Sequence, residues 1–254
     1  MWFEHGTSKI YYEVQGSGDP VLLLPGWSQF IDELSDLREI ISGAGYRVIA
    51  ADLPGSGRSM PHPREYSTSY FDDDAASFAA LLDHLGVGTS HLIGFSDGGD
   101  VTLLIALHSP RMARSVVTWG SAGLLSDPTG QLREAMYNMI DNPISPMRGF
   151  RDYLVAQYGE QNARAMTQSE ANAIGAIIET RGGDLSLSKA DQITCPVLLI
   201  AGEHDMFVPS PLLSQLASRI PNSESHIVEG AGHAVNNDKP QWLASTILDW
   251  LSRH

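Results

Sequence analysis

The chain has a single cysteine, Cys195, so no internal disulfide can staple it. That usage suits a reducing compartment, and a cytoplasmic location is the expectation. Basic residues are few: 16 Lys and Arg stand against 30 Asp and Glu, a net charge of −14 at pH 7. Such a charge repels phosphate backbones and anionic lipid at long range, which argues against nucleic-acid and membrane partners and mildly favours cationic ligands. No apolar run reaches the ~20 residues needed to cross a bilayer, and residues 1–10 lack the basic start and apolar core of a targeting signal. Histidine pairs at zinc-site spacing are missing too. His204 with Asp205 offers too few ligands, so no metal is expected. The Gly16-Ser17-Gly18 turn is followed by no helix and gets no phosphate-binding role, and no cofactor is expected.

What is present is the composition of a folded protein, 43% hydrophobic and 18% charged over 254 residues, enough for one large domain. Residues 2–5 and 9–15 read as a hairpin. Short continuous apolar runs at 21–24, 46–51, 90–93, 116–119 and 196–201, with a last strand at 225–228, read as mostly buried strands. Helical patterns at 32–42, 72–85, 98–108, 212–219 and 242–251 fall between and after them. Alternation of this kind predicts an α/β fold with a mostly parallel sheet covered on both faces. It breaks once. Residues 121–190 have no buried strand and three helical patterns, at 131–140, 148–158 and 169–179. They carry Met136, Met139, Met147 and Met166 with Tyr137, Phe150, Tyr153 and Tyr158. An all-helical insertion here would lie above the strand ends, so 121–190 is read as a lid on a core of 1–120 and 191–254.

One stretch concentrates chemistry. Gly94-Phe95-Ser96-Asp97-Gly98-Gly99 joins the end of an apolar run to the start of a helix, which places Ser96 on a sharp, strained turn. Small residues at 94 and 98 are needed there because side chains would collide with the nucleophile. A serine hydroxyl becomes nucleophilic only when a base takes its proton and an acid holds the base. Asp205, in Gly202-Glu203-His204-Asp205 after a strand, is the candidate acid, with Glu203 as its rival. His233, in Gly230-Ala231-Gly232-His233 after the last strand, is the candidate base, with His204 next. The backbone N–H groups of Asp97 and of Trp27, in Leu24-Pro25-Gly26-Trp27, are the candidate oxyanion donors. Asp97 itself has two readings. A carboxylate in the first turn of a helix can be a cap or ion-pair member, or can face the cleft and attract a cation.

These residues resemble the α/β-hydrolase family. The elbow, Asp52-Leu53-Pro54-Gly55-Ser56-Gly57-Arg58-Ser59, the acid loop and the histidine loop all carry the likeness, which spans the chain. Ser-Asp-Gly-Gly at the elbow and Val117-Thr118-Trp119-Gly120-Ser121-Ala122 after it are most similar to the valacyclovirase, or biphenyl hydrolase-like, group. In that group the residue after the nucleophile receives the ammonium of an α-amino acid ester, which the resemblance carries to Asp97. The loop Trp27-Ser28-Gln29-Phe30 and the insertion depart from the group. Together the expectation is a cofactor-free serine hydrolase cleaving a small-molecule carboxylic ester. A lactonase or amidase with the same triad, or a non-catalytic small-ligand receptor of the same fold, are the alternatives.

Overall fold

The computed structural model describes residues 1–254. It begins with a hairpin of β1 (Trp2–His5) and β2 (Ser8–Gln15). Six strands follow: β3 (Pro20–Leu24), β4 (Arg47–Ala51), β5 (Ser90–Phe95), β6 (Ala113–Trp119), β7 (Val197–Gly202) and β8 (Ser223–Val228). All eight join one sheet in the order β1-β2-β4-β3-β5-β6-β7-β8. Pairing is antiparallel from β1 to β4 and parallel from β4 to β8. This is the mostly parallel α/β sheet that the strand pattern anticipates, and the α/β-hydrolase fold that the resemblance implies.

Both sheet faces are dry, and the two-residue period of a strand shows how. Leu22 and Leu24 of β3 pack with Phe78 and Leu81 of α2 (Tyr70–His84) and Leu103 of α3 (Asp97–His108). Val21 and Leu23 face the other way, toward Ile41 of α1 (Ser35–Gly43) and the far end of the chain. Along β7, Val197, Leu199 and Ala201 take the first face and Leu198 and Ile200 the second. Each such leucine is fully buried, so truncating one to alanine costs about 2–5 kcal/mol. The outer strand β8 is mostly exposed and polar, which suits an edge.

Between β6 and β7 lie α4 (Gln131–Tyr137), α5 (Arg148–Tyr158) and α6 (Glu160–Arg181). The two stems of this insertion are stitched together: Leu125 N–H donates to the Gly183 carbonyl at 2.9 Å, and the N–H groups of Leu185, Ser186 and Leu187 converge on the Gly123 carbonyl at 3.0–3.1 Å. Its own small core contains Met139, Met147, Leu154 and Met166, and Trp27 of the main body joins it. The third helix differs from the expectation of 169–179. It begins after Gly159 (φ 74°), nine residues earlier, and stops at Gly182 (φ 66°). Its first turn, Glu160 to Asn162, is polar and exposed, and only Ala163 and Met166 mark the buried side of the next, too few for apolar periodicity to reveal. The helix expected at 32–42 opens as a 3₁₀ turn, Ile31–Leu34, because Asp52 Oδ1 captures the Ile31 N–H at 2.7 Å.

The rest of the chain covers both faces, with Leu213 and Leu216 joining the first and the C-terminal helices the second. α7 (Ser210–Ala217) links β7 to β8, and α8 (Val235–Asp238) leads into α9 (Pro240–Arg253), whose Ile247 and Trp250 are buried against the sheet.

Candidate active site

Ser96 sits between β5 and α3 at φ 52° and ψ −122°, a conformation that costs a non-glycine residue about 1–3 kcal/mol. Backbone bonds over-determine it. Ser96 N–H donates to the Trp119 carbonyl at 2.9 Å, and its own carbonyl accepts from Gly99 and Asp100 at 2.8 and 3.0 Å. A β-carbon at Gly94 would strike the backbone of Gly98 and Gly99. The reason for Gly98 differs from the sequence expectation: its β-carbon would strike the Pro25 and Leu24 carbonyls rather than the serine. Gly98 therefore lets the end of β3 approach the start of α3, and this brings Trp27 toward Asp97.

Ser96, His233 and Asp205 come together from three loops at the carboxyl ends of parallel strands. His233 Nε2 lies 3.0 Å from Ser96 Oγ. Its Nδ1 lies 3.0 and 2.9 Å from the two oxygens of Asp205. The Asp205 side chain is fully buried, and its Oδ1 also accepts the N–H groups of Phe207 and Val208 at 2.9 and 3.0 Å. The two loops lean on each other through His204 N–H to the Ala231 carbonyl at 2.9 Å. Any side chain at Gly202 would collide there. An imidazole so held can take a proton from the serine hydroxyl while the carboxylate stabilises the resulting cation.

Neither the Trp27 nor the Asp97 backbone N–H has an acceptor within the protein, and both residues line the cavity that opens on Ser96. Gln29 Oε1 accepts the Gly26 N–H at 3.1 Å and closes the turn before Trp27. The Trp27 indole donates to Tyr66 Oη at 2.8 Å, and its ring meets Phe150 of α5 edge-on at 6.0 Å. A main-body loop and the insertion are thus packed as one wall.

The cavity holds about 360 Å³. Much of its wall is apolar, from Met136, Met139, Met147, Phe150 and Ile174 of the insertion with Phe207 near His233. Four carboxyls interrupt it: Asp97, Asp100, Asp127 and Glu170. Burial pushes Asp97 up to about 6, against hydrogen bonds from its neighbours. Burial also raises Asp100 to about 8, although it accepts the Gly123 N–H at 2.8 Å. Glu170 is driven well above the usual carboxylate range, first by burial and then by the charge of Asp97.

Other candidates stand apart. Glu203 braces the histidine loop by accepting the Gly230 N–H at 2.9 Å, and His204 is exposed. Asp52 is buried beneath the loops, binding the Ile31 and Arg58 N–H groups at 2.7 Å each. Asp32 pairs with Arg58 at 2.8 Å. Cys195 is half-buried, and burial raises its thiol to about 11. Sequence reasoning missed Asp100 and Glu170, because only the fold reveals that those carboxyls are buried against the cavity.

Residues 21–246 match the alpha/beta hydrolase family. A 2-hydroxy-6-oxononadienedioate/2-hydroxy-6-oxononatrienedioate hydrolase of Burkholderia vietnamiensis is 27% identical, over 98% of this chain and 93% of that protein. The human serine hydrolase BPHL is 26% identical, over 89% of this chain and 77% of that protein. Among solved structures, a thermophilic esterase from Thermogutta terrifontis has a TM-score of 0.73 at 22% identity, covering 97% of this chain and 94% of that one, a likeness of fold. With most of its length matching the family and the sheet and elbow built as described, the chain belongs to the alpha/beta hydrolase family and is a hydrolase of that type.

Proposed function

We propose that the protein is a serine hydrolase that cleaves carboxylic esters through an acyl-enzyme and prefers α-amino acid esters. The observation that carries this reading is the unbroken path from Ser96 Oγ to His233 at 3.0 Å and on to Asp205 at 2.9 Å.

Ser96 attacks the ester carbonyl as His233 Nε2 takes the hydroxyl proton, with Asp205 holding the imidazole in its tautomer. The carbonyl oxygen becomes an oxyanion, which the N–H groups of Trp27 and Asp97 receive. One such donor is worth about 3 kcal/mol of transition-state stabilisation. His233 then passes the proton to the leaving alkoxide, which departs as the alcohol. Water repeats the sequence on the acyl-enzyme, releasing the acid and restoring the serine. No cofactor enters any step. Residues 121–190 act as a lid whose methionines and aromatics shape the acyl pocket, over a core formed by 1–120 and 191–254.

The Asp97 carboxylate, next to the nucleophile, receives the substrate ammonium. Burial keeps Asp100 and Glu170 protonated in the empty cavity, and they support a cationic rather than an anionic substrate because only a cation is balanced by loss of their protons. The same consideration separates the protein from its Burkholderia relative, whose name specifies a doubly acidic substrate. Lactones and amides fit the same geometry, and a substrate panel separates them from open esters.

The deciding experiment is turnover of p-nitrophenyl acetate. Steady hydrolysis that Ser96→Ala abolishes supports the enzyme, whereas tight ligand binding without turnover supports a receptor.

A further inference from the structure

Glu170 occupies the middle of α6 and is 1% exposed, yet it lines the cavity. Tyr70 Oη donates to its Oε1 at 3.4 Å, and no donor reaches Oε2. Asp97 lines the same cavity, close enough that its charge raises the proton affinity of Glu170. Two buried carboxyls on one cavity wall do not both ionise without a cation to balance them.

The surroundings provide no spare cation. Arg64 faces the pair from the loop before α2, but it is bonded to both oxygens of Asp74 at 2.7–2.8 Å and to the Pro54 carbonyl at 2.8 Å. Tyr66 and Tyr70, on the same side, are phenols that burial keeps neutral. Asp100 flanks Asp97 on α3 and adds an acid. His233 faces Asp97 but is engaged with Ser96 and Asp205. Arg133 also lines the cavity, on the side of Gly175 and Glu179. The Asp97–Glu170 pair thus lacks a cation to balance two charges, and burial keeps Glu170 protonated.

We propose that Asp97 and Glu170 form a two-sided clamp for a primary ammonium, which gives the unpartnered Glu170 Oε2 a donor and ties the helical insertion to the nucleophile-bearing helix. This rests on the amino-ester reading above and assigns Glu170 as a second specificity-determining residue. On binding, the carboxylic acid of the pair releases its proton to solvent, and the ammonium donates one N–H to each carboxylate. A quaternary ammonium carries charge but no donor, so it offers neither carboxylate a hydrogen bond.

The test uses Ser96→Ala protein, which cannot acylate, and L-valine ethyl ester at pH 6.5. Calorimetry in buffers of different ionisation enthalpy is expected to show close to one proton released per ester bound. N,N,N-trimethyl-L-valine ethyl ester should bind at least about tenfold more weakly. Adding Glu170→Gln, which keeps the shape and the acceptor for Tyr70, should abolish the proton release and weaken L-valine ethyl ester about tenfold. Unchanged affinity and proton release in the Gln variant would overturn the clamp, and so would equal binding of the trimethylated ester. If the Ser96→Ala protein binds L-valine ethyl ester no better than ethyl isovalerate, the amino-ester reading itself fails. If that preference holds and is lost in Asp97→Asn but kept in Glu170→Gln, only the role of Glu170 fails.

Discussion

Gly120 lies against the imidazole of His233: a β-carbon at 120 would stand 2.8 Å from Cε1 of that ring. The residue follows β6 at φ 68°, and its N–H is fixed to the Ile200 carbonyl at 3.1 Å, so the backbone cannot readily back away. Gly120→Ala is therefore expected to push the ring off its line to Ser96. Misplacement of a reacting group by ~1 Å costs about 10²-fold in rate. A fall of that order in kcat/KM for p-nitrophenyl acetate, in protein with a native circular dichroism spectrum, is the expected outcome. An unaltered rate would show that the imidazole does not depend on this approach.

The charge on Asp97 sets the pH range of any preference for amines. Burial raises this acid to about 6, so it is ionised above that pH and neutral below it. The ratio of kcat/KM for an amino ester to that for its amine-free counterpart should rise as pH climbs from 5 to 7. Taking the ratio cancels the titration of groups that serve both substrates. Asp97→Ala should bring the ratio near one at every pH, and a ratio that still climbs in that variant would place the amine elsewhere.

Tyr158 closes α5 by donating to the Ser28 carbonyl at 2.5 Å and accepting the Gly57 N–H at 2.6 Å. Ser28 holds a positive φ of 63° and directly follows Trp27, the proposed oxyanion donor. Tyr158→Phe retains the ring near Phe30, 5.9 Å between centroids, but frees that carbonyl. The expected effect is a fall in kcat of about tenfold with KM little changed, since the oxyanion forms only after binding. A change confined to KM would make Tyr158 a substrate-binding residue instead.

The sheet could be read from the sequence because parallel strands buried on both faces are short unbroken apolar runs, as at Val21 to Leu24 and Val197 to Ala201. The loops at their carboxyl ends announced themselves through glycine: Gly94 and Gly98 around Ser96, Gly202 before Asp205, Gly230 and Gly232 before His233. Those three side chains meet in space, although nothing local encodes their distances. Less was visible where tertiary contact decides. The opening of α6 is polar and exposed over Glu160 to Asn162 and buries only Ala163 and Met166 beyond it, a thin apolar signal. Glu170 looks like any helix-surface acid until the fold buries it beside Asp97. The tyrosines at 153 and 158 belong to the stretch read as a lid, and nothing local shows that their hydroxyls bond Glu33 and the Ser28 carbonyl.

The most direct test of the proposed chemistry is to treat the protein with a fluorophosphonate and locate the adduct by peptide mass spectrometry. The expected result is a single phosphonylated residue, Ser96, with the labelling rate reduced about 10³-fold or more in His233→Ala. An adduct on another residue, or labelling of Ser96 that is just as fast without the imidazole, would contradict it.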